Sequence, residues 1–188
     1  MGVSPHGQDT MATYRKVCID AVSPDVDGPV LAKLLGLPWR ADDEGEGGLL
    51  GPEGRYLVWF NAVPGAGTKS ERVRLDIGSR RWRGIEVDSA DPLSQATWWA
   101  RVLDGTSQAA ASGSWEVAGV PGMPVPLVFV PMSEPKTAPN RIHWDVTADR
   151  DDLAAIGATV LRDLGGDLQW HVMADPEGNE FCAFPVDS

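Results

Sequence analysis

Disulfides, membrane spans and a basic surface are all things for which this chain is poorly supplied. Only two cysteines occur, Cys18 and Cys182. They show no scaffold spacing, so two buried thiols in a reduced, cytoplasmic compartment are the expectation. No apolar run approaches the ~18 residues of a membrane helix, so no membrane association is expected. Residues 1–11 lack the apolar core of a signal peptide and read as a flexible tail. Basic residues are outnumbered, 16 Lys and Arg against 27 Asp and Glu, giving a net charge of −11 and a pI near 4.6. Such a surface repels phosphate backbones, which argues against nucleic acid as a partner. The same charge favours cationic small molecules and also serves plain solubility. Tyrosine is scarce too: two, against eight tryptophans.

What the chain does have is an internal repeat. Arg72-Val-Arg-Leu-Asp-Ile77 lies over Arg141-Ile-His-Trp-Asp-Val146, and Tyr56-Leu-Val-Trp-Phe60 over Val125-Pro-Leu-Val-Phe129, both at an offset of 69 (141 − 72; 125 − 56). In each copy a Pro/Gly-rich loop carrying a lysine, Lys69 or Lys136, joins the two strands. Further upstream, Val17-Cys-Ile-Asp-Ala-Val22 matches Arg83-Gly-Ile-Glu-Val-Asp88, with a small gap.

Three β-α-β-β-β units follow from the periodicity. The first has a strand over 14–22, a helix over 26–36 with Val30, Leu31, Leu34 and Leu35 on one face, and strands near 38–42, 47–50 and 55–63. Gly36 is its C-terminal stop. The second has a strand over 83–88, a helix over 92–103 behind the cap Asp91 and Pro92, and strands near 106–111, 114–119 and 125–131. The third has a strand over 140–147, a helix over 150–156 capped by Asp149, and strands near 158–164, 168–174 and 180–185. Residues 71–78 read as the first strand of a partner unit whose remainder is missing. A single unit leaves one apolar sheet face and open edges, so it must pair with another copy to build a cup. The expected organisation is a tail (1–11), a truncated half-domain with an extra strand (12–78), and a complete domain (79–188) made of units 83–133 and 140–188.

Residues 83–188 resemble the glyoxalase-like branch of the vicinal oxygen chelate (glyoxalase/bleomycin resistance/dioxygenase) superfamily. The resemblance rests on Asp91-Pro92, Phe129-Val-Pro131, Arg141-Ile-His-Trp-Asp145, Ile156-Gly-Ala158 and Asp175-Pro-Glu-Gly-Asn-Glu-Phe-Cys182. It implies an α+β fold in which repeated βαβββ units form cup-shaped sheets. It does not imply a reaction, since the same cup serves isomerases, epimerases, dioxygenases, thiol transferases and antibiotic-binding proteins.

Metal-dependent members place histidines and glutamates on the first and last strands of both paired units. Here His143 takes one such position, Cys182 stands where a glutamate is usual, Arg74 stands where a second histidine would be, and Pro126-Leu-Val-Phe-Val-Pro131 offers no ligand. No metal residues are therefore assigned and no cofactor is expected, although a divalent metal on a non-standard set around His143, with Cys182 and Glu86 or Asp145, stays open. His143 and Asp145 share a strand face and are the candidate catalytic pair, with His143 as general base. A pocket-lining or core histidine is the alternative. Glu86, Trp115, Phe129, Arg141, Trp170 and Cys182 are the candidate ligand-binding residues, the tryptophans for stacking. Trp144 points away from His143 and reads as core, Cys182 as a buried thiol, and Glu177 and Glu180 as solvated turn residues, like the acidic loop beginning at Asp42. Three functional readings follow. The first is a cup that holds a small aromatic or cationic organic ligand without the usual metal. The second is a metal-dependent lyase, isomerase or dioxygenase. The third is a degenerate structural or dimerisation module. The unmatched unit favours a homodimer.

Overall fold

The structure is a computed structural model and describes residues 10–79 and 81–186. Most of the expected tail lies outside the described residues. The chain runs β1 (Ala12–Ala21), α1 (Pro24–Leu35), β2 (Trp39–Ala41), β3 (Gly47–Leu50), β4 (Tyr56–Ala62), β5 (Val73–Gly78), β6 (Arg81–Ser89), α2 (Pro92–Leu103), β7 (Thr106–Ala109), β8 (Trp115–Ala118), β9 (Leu127–Pro131), β10 (Ile142–Ala148), α3 (Arg150–Ala155), β11 (Thr159–Arg162), β12 (His171–Ala174) and β13 (Glu180–Phe184). The elements match the periodicity closely because their end signals are local. Asp91 accepts from the Ser94 amide, and Asp149 accepts from the amides of Asp151 and Asp152. Gly36 closes α1 in the left-handed region at φ 68°.

The strands form two sheets in a mixed α+β architecture. One has eight strands, in the order β11-β12-β13-β10-β1-β4-β3-β2; the other has five, in the order β5-β6-β9-β8-β7. The seam of the larger sheet is the antiparallel pair β1/β10, with Cys18 opposite His143 and Lys16 beside Asp145. Each first strand has the last strand of its own unit as its parallel neighbour, β4 beside β1 and β13 beside β10.

The sequence leaves open which units pair, and the pairing differs from the grouping of units 83–133 and 140–188. Units 83–133 and 140–188 do not share a sheet; the first and third units do. The second unit instead pairs through β6 with β5, the lone first strand, in an antiparallel hairpin from Val73↔Val87 to Gly78↔Arg81. The four first strands, β1, β5, β6 and β10, carry similar alternation, so nothing local chooses among them. The short turn between β5 and β6 closes a small loop and takes the edge of β6 that β10 would otherwise need. Arg81–Arg83 is the start of β6.

The core lies between the backs of the sheets and the helices. Trp99, Trp144, Phe129 and Phe181 are its largest fully buried side chains. Trp144 is thus core, as its alternation required. The helix α1 departs from expectation. Its buried residues are Pro24, Gly28 and Ala32, whereas Val30 and Leu34 are 66% and 44% exposed. Gly28 explains this, since a Cβ there would lie 2.2 Å from the ring of Trp39. The helix therefore sits on its smallest residues, with Leu31 and Leu35 half-buried against the core and Val26, Val30 and Leu34 turned outward.

Candidate functional site: the cup of the larger sheet

Strand alternation aims one set of residues from six neighbouring strands, β11-β12-β13-β10-β1-β4, into the concave side of the eight-stranded sheet. There they line a cavity of about 630 Å³ whose walls include Asp20, Asn61, Lys69, His143, Trp170, Glu180 and Cys182. Leu161, Leu168, Trp170 and Val172 make one side apolar. The ring of Trp170 lies 5.2 Å from that of Phe184, tilted by 34°.

The floor is a cluster at the β1/β10 seam. Ligand atoms of Cys18, His143 and Asp145 all lie within 4.8 Å of one another. Asp145 receives the Cys18 thiol at 3.3 Å and the Lys16 ammonium at 2.8 Å. Its carboxylate is therefore engaged by those two groups, a different role from the expected orientation of His143. Burial holds the His143 imidazole below its ordinary pKa, outweighing the carboxylates of Asp145 and Asp20 that pull the other way. The ring is neutral near pH 7 and can accept a proton. Burial raises the Cys18 thiol well above its ordinary value, reinforced by the nearby Asp145 carboxylate. Burial raises Cys182 as well, with Asp145 again adding to the effect. Both thiols are free and buried, and neither is poised as a nucleophile.

The two repeat lysines flank this floor. Lys69 pairs with Asp20 of β1, which also accepts from the Asn61 amide at 3.0 Å. Lys136 pairs with Glu180 of β13 at 2.5 Å, and Glu180 also accepts from the Asn140 backbone at 3.1 Å. Glu46, from the acidic loop, accepts from the Trp59 indole at 3.1 Å and from the Ala62 amide at 2.8 Å. Glu180 and Glu46 are thus held residues of the cup, not solvated turn residues. Glu177 is held too, receiving Ser89 Oγ and the amides of Ala90 and Asp91 ahead of α2.

Of the expected site residues, His143, Asp145, Trp170 and Cys182 come together in or beneath the cup. The others do not. Glu86 lies in the five-stranded sheet, 3.6 Å from Arg74. Trp115 and Phe129 face each other on β8 and β9 of that sheet, and Phe129 is fully buried core. Arg141 opens on the opposite side of the larger sheet, 3.8 Å from Glu71. Grouping Glu86, Trp115 and Phe129 with His143 depended on pairing the second and third units, whereas Arg141, from the third unit itself, lines the groove beside α1 and β5 instead. The residues missed were Cys18, Lys16, Asp20 and Lys69, all contributed by the first unit or its loop. The repeated lysine loop was the one signal that pointed toward them.

This architecture defines a class of protein built on paired βαβββ units. A family model for the glyoxalase-like domain matches residues 84–184, more than half of the chain. The chain belongs to that family, within the vicinal oxygen chelate superfamily. No curated protein matches it. Among solved structures it is similar to oxidase ChaP-H2, at 17% identity over 54% of this chain and 89% of that one, with a TM-score of 0.41. It is similar to a mutant glyoxalase I from Zea mays, at 10% identity over 94% of this chain and 69% of that one, TM-score 0.40. It is also similar to a putative dioxygenase from Bacillus subtilis, at 11% identity over 94% and 63%, TM-score 0.40. At these identities the likenesses say nothing of activity.

Proposed function

We propose that the protein binds a small organic ligand, aromatic and cationic, in the cup of the eight-stranded sheet. The observation that carries this reading is the mixed lining of the 630 Å³ cavity. Trp170, Leu161 and Leu168 offer apolar surface, while Asp20, Glu46 and Glu180 line the same cavity with carboxylates, Asp20 and Glu180 being paired with Lys69 and Lys136. A flat cation meets both requirements: its ring stacks on Trp170 and its charge is drawn to the carboxylates. The volume lies in the range of small-molecule sites. His143, at the floor, is the acceptor for a donor group on the ligand.

Titration of tryptophan fluorescence with a panel of aromatic quaternary amines tests this reading. Saturable quenching is expected, weakened about tenfold in Trp170→Ala, the loss of one stacking contact. A flat response to every member would sink the reading.

The Cys18, His143 and Asp145 cluster favours a second reading, in which the floor holds a divalent ion. Sulfur, imidazole nitrogen and carboxylate form a donor set suited to zinc. His143 is already in the neutral state a ligand requires. Cys18 would have to lose its proton, and Lys16 would have to leave Asp145, so binding would release protons and depend on pH. A bound ion would act as a Lewis acid toward an oxygen of the ligand. Elemental analysis of the purified protein separates the two readings. Near-stoichiometric zinc lost in Cys18→Ser supports the second, and its absence supports the first.

A further inference from the structure

The helices α1 and α2 occupy equivalent places in their units, but only one of them is covered. They match at a constant separation of 68 (91 − 23; 104 − 36), from the caps Ser23 and Asp91 to the left-handed Gly36 and Asp104. At that separation Leu31 corresponds to Trp99, and Leu75 of β5 corresponds to Trp144 of β10 at the repeat offset of 69 (144 − 75). Around α2, Trp99 packs edge-on against Trp144 at 4.8 Å and against Phe181 at 5.1 Å. Around α1 the equivalent space is a groove of about 360 Å³. Its sides are Val30 and Leu34 of α1 and Leu75 and Ile77 of β5, and its floor includes Ile19 and Phe60 of the larger sheet. Ile19 points away from the cup, because its neighbours Cys18 and Asp20 point toward it. Groove and cup thus lie on opposite faces of one sheet.

Arg141 stands at one end of this groove with its guanidinium uncommitted. The Arg141 amide donates to the Ser70 carbonyl at 2.9 Å, which fixes the residue near the start of β5. Its side chain makes no hydrogen bond among the described residues, and its Nε is buried without a partner. Its only ion-pair contact among those residues is with Glu71, 3.8 Å away and 73% exposed. That is too long for a hydrogen bond and amounts to a weak surface pair. The neighbouring arginines are engaged. Arg72 donates to the carbonyls of Glu134 and Asp88, and Arg74 forks onto the Asp88 carboxylate at 3.0 and 2.6 Å.

We propose that this groove is a second ligand site, taking a medium-chain aliphatic carboxylate with its head on Arg141. Three features select that ligand. The head has two anionic oxygens side by side, because a guanidinium offers Nε and Nη together and a buried donor left unmade is costly. It carries a single charge, because Asp27 and Glu71 also line the groove and repel a dianion such as a phosphate monoester. The tail is apolar and extended, because the walls are a helix and a strand side by side. From Val73 to Ile77 the strand rises about 13 Å, the reach of a chain of roughly ten carbons. Val30 and Leu34, 66% and 44% exposed, are the side chains such a tail covers. It takes the place that the Phe181 ring fills in the other half.

Equilibrium dialysis of the full chain against labelled decanoate tests the site. Saturable one-to-one binding is expected, with decanol and decyltrimethylammonium each about tenfold weaker as competitors because neither can pair with Arg141. Arg141→Gln should bring decanoate down to the level of decanol. Val30→Glu, a substitution at an exposed position, sets a charge against the tail and weakens decanoate about tenfold. No saturable binding below the micelle concentration overturns the proposal. So does equal competition by decyltrimethylammonium, or an affinity for decanoate that Arg141→Gln leaves unchanged. If Arg141→Gln fails to fold, an unchanged affinity in Val30→Glu overturns it instead. The proposal does not rest on the cup, whose ligands are read through Trp170 and not through Arg141.

Discussion

Two copies of one helix, set in a complete half and a shortened half of the same chain, bury their equivalent faces to different extents. Around α2, tryptophans fill the space between helix, β10 and β13. Around α1, valine and leucine line an open groove beside the lone strand β5. The side chains follow the strands: large aromatics stand where a covering strand supplies Phe181, and smaller residues where that strand is missing. The physical reason is packing density. A tryptophan without neighbours leaves its contacts unmade, whereas covered on all sides it contributes both area and ring geometry.

The sharpest way to break this comparison is to truncate a covered residue of one helix and an outward residue of the other. Trp99→Ala removes a fully buried ring and its 3.1 Å hydrogen bond to Asp175, and should cost about 3–5 kcal/mol in urea unfolding. Val30→Ala, at a side chain 66% exposed in the single chain, should stay within about 0.5 kcal/mol under dilute, monomeric conditions. Equal costs would mean that the two halves are packed alike, contrary to the structure.

A smaller effect tests why α1 turns Val26, Val30 and Leu34 outward. Gly28→Ala drives a methyl toward the Trp39 ring, 2.2 Å from the ideal Cβ position. It should lower stability by about 1–3 kcal/mol through overpacking. The counterpart on α2 is already Ala96, fully buried. A stabilising outcome would show that the Trp39 ring moves aside freely.

The smallest effect concerns protons. His143 is held below its ordinary value of 6.5 by burial, so in falling pH the unfolded chain takes up the proton first. Its contribution to stability is fully present above about pH 6.5, is lost as pH falls through that value, and levels off below the folded pKa. His143→Gln should flatten the slope of stability between about pH 7 and pH 5. Arg74, which holds the corresponding place in the shortened half, stays charged throughout this range. An unchanged slope in the glutamine variant would assign the pH dependence to other groups.

Much of the fold was legible because its signals are local. Asp91-Pro92, Asp149 and Gly36 mark helix ends through backbone hydrogen bonds within a few residues. Alternation on β10 separated His143 from Trp144 correctly, one toward the cup and one into the core. The candidate site was less legible. Glu86, Trp115 and Phe129 were grouped with His143 by a pairing that the strands do not make, and Cys18 was missed because its unit was set apart. Glu180 read as solvated because a turn precedes it, yet the distant Lys136 holds it at 2.5 Å.

The sequence by itself determined the elements, the repeat, the family and the position of His143 on a cup-facing strand. Only the tertiary structure decided that the first and third units share one sheet, and so that Cys18 and Lys16 meet His143 and Asp145 on its floor. Four similar first strands satisfy the same local pattern equally well. Which two become neighbours depends on loop closure and on which edges are already taken, and neither is written in any one segment.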